Sequence, residues 1–511
     1  MRLTLTGTGP AEGFPVPDCP CAVCARARRD GVTAEPARLV SSSGWEISVD
    51  GVVTVTGAHP AGGMIDTGLE EEDFPAAVPA VNSPDSPTGS GPQPVASPRH
   101  PVPRHPVSTL HELEPGRVLT LDGATPGTRF EALGEGVVLI RAADLTVVWA
   151  PQAGAIGDLT IDALAALSTG SPPTPPPADD LPADPRPTGP LSSDPLSAAD
   201  LLPAADLLSA DPQATGSLPT GPRSVNRPPD ALILGPEPES SAPSGEMPSL
   251  GCARTIARLR ARGVIGEHTR CLLVGFGHRE THPARLQACL PAWGAELAVA
   301  GTAPGLPHPQ SSPLPRLGRV LVLGGSGSGK SAFAEQLLSA APEVVYLATG
   351  PKPVRSGEET PSTGDGSSPT EHPEDDEWAS RVRRHQERRP DWWSTLETID
   401  VAGPLTGDGR AILLDSVGTW LSGVLDRCGA WDDRPGWKEQ LDAETETLLR
   451  AWRERSGPLV AVSDEVGWSI VPSTESGRLF RDQLGRLNGK LAEASEDVHV
   501  IVAGRLLRAE A

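Results

Sequence analysis

Lysine is scarce in this chain: 511 residues hold four, Lys330, Lys352, Lys438 and Lys490. Acidic residues outnumber Lys and Arg by 66 to 43, giving a net charge of −23. A nucleic-acid or anionic-membrane surface needs the opposite balance, so no nucleic-acid partner is expected. The positive charge that exists is gathered locally, between Arg381 and Arg389. No apolar run reaches the length of a membrane span. Met1 to Pro10 lacks the charged start, apolar centre and cleavage site of a secretory leader. The expectation is a cytoplasmic protein without membrane insertion. Cysteine is also sparse, seven in all, and three crowd together at Cys19, Cys21 and Cys24. That grouping reads as a metal site rather than a disulfide framework.

Proline (57) and glycine (55) are abundant instead. Length alone argues for two to four domains, but so much Pro and Gly means that a good part of it cannot be packed core. Val81 to Val107 is rich in Pro, Ser and Gly, and Ser168 to Ser249 carries a degenerate repeat, SAADLLPAADLLSADP, among many prolines. Such composition buries too little apolar surface to offset ordering entropy, and both tracts are expected to be disordered insertions. The repeat is too short for a solenoid. Residues 304–315 read as a linker, and 351–376, acidic and rich in Ser, Thr and Pro, as a mobile loop. The division expected is a front domain over 1–303 and a second domain over 316–511.

The segment RVLVLGGSGSGKSAFAEQLL, Arg319 to Leu338, carries the clearest chemistry. An apolar run leads into Gly324, Gly325, Ser326, Gly327, Ser328, Gly329, Lys330 and Ser331, followed by apolar spacing near 3.6. This is the strand, phosphate loop and helix order of a Walker A element. Glycines let backbone N–H groups converge on phosphate, the helix aims its positive end at the same anion, Lys330 adds a mobile charge and Ser331 can ligate Mg²⁺. One of only four lysines occupies the required position. From here the pattern alternates: strands at 319–323, 344–348, 411–414, 458–462 and 498–502, with helices that include 378–389, 437–455 and 475–494. Alternation of this kind gives an α/β domain with a mainly parallel sheet and a ligand at the carboxyl ends of its strands. The run Ala411 to Leu414 ends in Asp415, a second Mg²⁺ ligand of Walker B form.

Between these elements lies Arg381-Val382-Arg383-Arg384-His385-Gln386-Glu387-Arg388-Arg389. Arginines disfavour a charged imidazole and neutralise polyphosphate. From the residues alone the cluster suits either a nucleophilic histidine or a solvated basic helix face.

In the front half, C-x-C-x-x-C at Cys19, Cys21 and Cys24 can place three thiolates on one tetrahedral Zn²⁺, with His278 or His282 of GFGHRETHP as fourth ligand. Strand-like runs at 45–55, 117–121, 136–140 and 145–149 indicate a sheet-rich domain, closed by a helix end at Trp293-Gly294 and a strand over 296–300.

Two resemblances follow from these motifs. The opening Leu5-Thr6-Gly7-Thr8-Gly9 and the cysteine cluster resemble the metallo-β-lactamase-fold hydrolases, in the subgroup with a structural zinc. This implies an αββα domain and a structural metal; the H-x-H-x-D-H catalytic signature of that family is absent, so hydrolase activity is not implied. The blocks GGSGSGKS, VVYLATG, EWASRVRRHQERRPDWW, AILLDSVGTWLS, VSDEVGWSIVP and GRLFRDQLGRLNGKLAEASEDVHVIVAG resemble, in order, the bifunctional adenosylcobinamide kinase and adenosylcobinamide-phosphate guanylyltransferases of cobalamin biosynthesis.

That second resemblance implies a kinase acting on adenosylcobinamide with ATP or GTP, then GMP transfer from GTP through a guanylylated histidine, here His385. It implies nucleotide contacts at the phosphate loop, at Ala348, Thr349 and Gly350, at Gln386, Glu387, Arg388 and Arg389, and at Glu397 and Asp415. It also implies a homo-oligomer, since the resembling enzymes are homotrimers. Two features depart from the family pattern: its N-E-V-G block is here Asp464-Glu465-Val466-Gly467, and the loop after Gly350 is long. The competing expectation is a nucleotide-binding scaffold or regulatory protein without turnover.

Overall fold

The computed structural model describes residues 2–43, 45–50, 52–58, 108–113, 118–121, 128–134, 136–142, 145–151, 156–169, 228–236, 247–305, 317–350 and 388–507. In the front half, strands with an apolar residue at every second position turn one face inward. Leu3 and Leu5 of β1 (Leu3–Gly7) are buried while Thr4 and Thr6 are not. With β2 (Arg38–Ser41), β3 (Trp45–Asp50), β4 (Val52–Ala58) and β5 (Ser108–Leu113), β1 forms an antiparallel sheet in sequence order. The single run expected over 45–55 is thus a pair of strands, with Asp50 opposite Val52. Helix α1 (Ala22–Asp30) begins within the cysteine cluster.

A second sheet is mixed. β6 (Val118–Leu121), β7 (Thr128–Gly134), β8 (Val137–Ala142) and β9 (Leu145–Ala150) run antiparallel. β9 then continues in parallel with β10 (Ala231–Leu234), β11 (Arg270–Leu273) and β12 (Ala295–Leu297). Leu5, Leu39, Ile47 and Val55 meet Phe130, Ile140, Trp149 and Ile233 between the sheets, with Trp45 edge-on to Phe130 at 4.8 Å. The opposite face of the second sheet packs α2 (Asp158–Thr169), α3 (Ser249–Ala261) and α4 (Pro283–Trp293) through Leu164, Ile256 and Leu286.

One expectation is corrected here. The tract 168–249 is not excluded from the fold along its whole length: helix α2 runs to Thr169, and Ala231 to Leu234 is a fully buried strand inside the second sheet. Four consecutive apolar residues suit a strand covered on both faces, and the proline-rich surroundings hid that signal. The rest of that tract, residues 81–107 and residues 351–376 lie outside the described residues, apart from 228–230, 235–236 and 247–249.

From Arg319 onward the sheet order is β15-β14-β16-β17-β13-β18-β19. Its strands are β13 (Arg319–Gly324), β14 (Val344–Ala348), β15 (Ser394–Glu397), β16 (Ala411–Asp415), β17 (Leu459–Asp464), β18 (Asp497–Val502) and β19 (Arg505–Leu507). All pairs are parallel except β18 with β19. The helices are α5 (Lys330–Leu338), the short α6 (Ala402–Leu405), α7 (Val417–Cys428), α8 (Trp437–Glu454) and α9 (Glu475–Glu493). Leu321, Leu414 and Ala461 face α7, α8 and α9, while Val320, Val322 and Val460 face α5. The sheet is therefore covered on both sides, as parallel strands require.

The outer side of α5 packs on α4. Trp293, fully buried, donates its indole N–H to the Gln336 carbonyl at 2.8 Å. Arg260 reaches the Ala340 carbonyl at 3.1 Å, and Arg285 lies 5.3 Å from the Phe333 ring centroid. One buried cluster consequently runs from β8 and β9 through α4 into the phosphate-loop helix.

Candidate nucleotide site

β13 ends at Gly324, and α5 begins at Lys330 with Gly329 before it in the left-handed region (φ 91°). Gly324 is needed for space: a Cβ there would lie 2.5 Å from Ser328 Oγ and 2.6 Å from the Ile501 carbonyl oxygen. Gly329 is needed for its positive φ. The loop between them is supported from the neighbouring hairpin, where Gly504 N–H donates to the Ser328 carbonyl at 2.9 Å. Ser328 Oγ is buried without a hydrogen-bond partner among the described residues, as suits a loop shaped for an anion with donors of its own to satisfy.

Parallel register brings the other expected residues to one end of the sheet. Ala348 is level with both Glu397 and Asp415 on its two neighbours. Thr349 laces the two segments: its hydroxyl donates to the Ser416 carbonyl at 2.7 Å and accepts from Ser416 N–H at 3.2 Å. Gly350 follows in the described chain. Next to the phosphate strand, Asp464 is level with Gly324.

Arg388 and Arg389 also reach this end. Arg388 forms a two-point ion pair with Glu335 of α5, at 3.0 and 3.2 Å, and the Arg389 guanidinium stacks 3.2 Å from the Tyr346 ring centroid. His385, Gln386 and Glu387 lie outside the described residues. Sequence reasoning missed two participants, Glu335 and Tyr346. Glu335 sits among buried positions of α5, where burial raises its carboxyl pKa above the usual range despite the Arg388 charge. Tyr346, the one tyrosine of the chain, donates its hydroxyl to Asp415. Burial and that carboxylate push its phenol upward. An acid on an apolar helix face and a lone tyrosine on a strand were the available signals.

A cavity of about 710 Å³ opens beside Asp464, between the amino ends of α7 and α9, lined by Ser416, Thr419, Trp431, Ser476 and Phe480 among others. Both helices are capped by hydroxyls, Ser416 accepting from Thr419 N–H and Thr474 from Gly477 N–H. Polar groups and helix amino ends at its wall suit an anionic ligand group.

In the front half the cysteine cluster closes on His278 rather than His282. The donor atoms of Cys19, Cys21, Cys24 and His278 all lie within 4.8 Å of one another. His278 Nδ1 is 3.2 Å from Cys19 Sγ and 3.8 Å from Cys21 Sγ. A tetrahedral zinc with Zn–S of about 2.3 Å sets its sulfurs roughly 3.8 Å apart, so donor set and spacing fit that ion. The Cys24 N–H, pointing at Cys21 Sγ, is the main cause that draws the Cys21 thiol down to about 6, while burial raises that of Cys24. His282 instead precedes α4, its Nδ1 2.8 Å from Thr281 Oγ1. None of the seven cysteines forms a disulfide.

A parallel sheet with a glycine-rich loop between β13 and α5, and acidic residues ending neighbouring strands, defines an α/β protein of phosphate-loop type. A family model described as cobinamide kinase / cobinamide phosphate guanyltransferase matches residues 368–509. The bifunctional adenosylcobalamin biosynthesis protein CobU of Salmonella typhimurium is 33% identical over 196 residues, covering 36% of this chain and 96% of that protein. CobP of Pseudomonas aeruginosa, with the same description, is 35% identical over 191 residues, 36% of this chain and 94% of its own length. Among solved structures, an ATPase from the type III secretion system of pathogenic bacteria aligns over 36% of this chain and 50% of its own, with 14% identity and TM-score 0.22, too loose a likeness to bear on fold or function. The chain belongs to the cobinamide kinase / cobinamide phosphate guanyltransferase family.

Proposed function

We propose that the second half of the chain, a domain over residues 316–511, carries out two successive reactions on one nucleotide site, within the family's role in adenosylcobalamin biosynthesis. In the kinase step the phosphate loop holds ATP or GTP, with Lys330 on the phosphates and Ser331 and Asp415 as the residues that would hold Mg²⁺. The ion would supply charge neutralisation there; the hydroxyl oxygen of adenosylcobinamide bonds to the γ-phosphorus, the P–O bond to the β-phosphate breaks, ADP or GDP leaves and the hydroxyl proton is released. In the transferase step an uncharged ring nitrogen of His385 attacks the α-phosphorus of GTP. A P–N bond forms, the P–O bond to the β-phosphate breaks and pyrophosphate leaves. A phosphate oxygen of adenosylcobinamide phosphate then attacks the same phosphorus and the P–N bond breaks, giving adenosyl-GDP-cobinamide.

The observation that carries this reading is the ion pair between Arg388 and Glu335. It ties the chain three residues beyond His385 to the helix that follows the phosphate loop. Arg389, Ala348, Thr349, Gly350, Gln386, Glu387 and Glu397 complete the nucleotide contacts, and the 710 Å³ cavity takes the phosphate-bearing arm of the acceptor. Trp468, Ile470 and Val471, 63–94% exposed on the loop after Asp464, support a homo-oligomer, a homotrimer in this reading.

The test uses GTP labelled at the α-phosphate. Wild-type protein becomes labelled; His385→Ala does not, yet still phosphorylates adenosylcobinamide. Label retained by that variant would remove His385 as the nucleophile. The front half, residues 1–303, is read as a metallo-β-lactamase-like module with one structural zinc on Cys19, Cys21, Cys24 and His278. The two facing sheets with α2 to α4 outside the second support that reading.

A further inference from the structure

The phosphate-loop lysine already has a partner. Lys330 Nζ lies 2.7 Å from Asp464 Oδ1 and donates to the Gly325 carbonyl at 3.3 Å. The ammonium is thus folded back over its own loop and neutralised by a carboxylate from the adjacent strand. Its side chain is 12% exposed, against 37% for that of Asp464.

Asp464 cannot swing away with its strand. It pairs in register with Gly324, Glu465 N–H donates to the Gly324 carbonyl at 3.1 Å, and Asn488 Nδ2 donates to the Asp464 carbonyl at 3.0 Å. The next acid, Glu465, is occupied elsewhere, accepting from Gly467 N–H at 2.7 Å. Asp464 is therefore the carboxylate that an incoming polyphosphate meets. To bind, the phosphates must take Lys330 from it, and a fixed negative charge is then left beside negative oxygens.

We propose that Asp464 makes nucleotide binding conditional on a divalent cation. Without the cation, the carboxylate both withholds Lys330 and repels the phosphates; with it, the phosphate charge is offset and the freed carboxylate gains a positive neighbour. Asp464 is on this view a specificity-determining residue that selects the metal-nucleotide complex over the bare nucleotide. The inference rests on the phosphate loop's being the nucleotide site.

The experiment measures GTP binding by calorimetry, with excess Mg²⁺ and with EDTA, on the full chain and on Asp464→Asn and Asp464→Glu. Asparagine keeps the shape and removes the charge, so the ratio of the two Kd values falls at least tenfold in Asp464→Asn, chiefly through tighter binding in EDTA. The Glu variant retains the wild-type ratio. Inorganic tripolyphosphate, which carries no base or sugar, shows the same pattern. Wild-type binding with an unchanged ratio in Asp464→Asn overturns the inference and leaves the nucleotide site standing. Absence of any GTP binding by the wild-type chain overturns both. A purely structural role for Asp464 would weaken binding equally in the two media, and that result also counts against it.

Discussion

Glu335 shows how one residue couples packing to chemistry. Its carboxylate is 9% exposed, and burial outweighs the Arg388 guanidinium in setting its pKa, which is raised. A carboxyl with a folded pKa above its unfolded value contributes stability at low pH that is lost as pH rises through the folded value. Removing the titration should therefore help the variant more as pH rises. Glu335→Gln is expected to gain in unfolding temperature on the wild type as pH rises through the range where the buried wild-type carboxyl ionises, and to keep a constant offset beyond it. Its cost falls on positioning: with Arg388 released, guanylyl labelling of the protein should slow on the order of ten- to hundredfold. Thermal unfolding from pH 5 to 8 and rapid-quench labelling check both halves. Unchanged labelling would detach Glu335 from the reaction.

Residue identity was legible where the chemistry is local. Gly324 to Ser331 have the residue types and spacing of a phosphate loop. Tyr346 and Glu335 did not declare themselves, because each matters through a partner on another element, Asp415 and Arg388.

At the scale of elements, α5 is held between its own sheet and α4. Trp293 fills the contact, buried completely and bonded through its indole to Gln336. Trp293→Ala is expected to cost about 3–5 kcal/mol, the range for emptying a buried aromatic site. Because the same cluster reaches Phe333 and Leu337, the loss should appear in nucleotide affinity as well as in denaturant midpoints. A midpoint shift with no change in GTP binding would show α5 to be independent of α4. The element pattern was readable for β13, β14, β16 and β17, whose apolar runs are largely buried, and for β18 from Val498, Val500, Ile501 and Val502, although only Ile501 of that strand is buried. β15 was not, since Ser394 to Glu397 is exposed along its length at the sheet edge and lacks an apolar signal.

Across the whole molecule, hydrogen bonds link the loop of the cysteine site to the phosphate loop. The loop carrying His278 continues through Thr281, whose carbonyl accepts from Arg505 at 3.5 Å, and Gly504 beside it supports the phosphate loop. The cysteine site is expected to bind one zinc per chain, with elemental analysis of Cys24→Ser reading none. Chelation should lower the unfolding temperature, because a bound metal's free energy adds to folding, while kinase turnover persists. Two ions per chain, or loss of turnover in step with metal removal at temperatures where the chain stays folded, would contradict a structural role.

By itself the sequence settled what depends on neighbours along the chain: the strand, glycine-rich loop and helix order from Arg319 to Leu338, the α/β alternation behind it, and the ordered blocks that mark the family. Tertiary structure alone chose His278 over His282, brought Cys19 within 3.2 Å of a residue 259 positions away, placed Ala231 to Leu234 inside a sheet and set Asp464 against Lys330. The reason is physical. Spacing encodes contacts within a turn or a strand, whereas partners across a fold are fixed by how sheets close and helices pack, which no local pattern records.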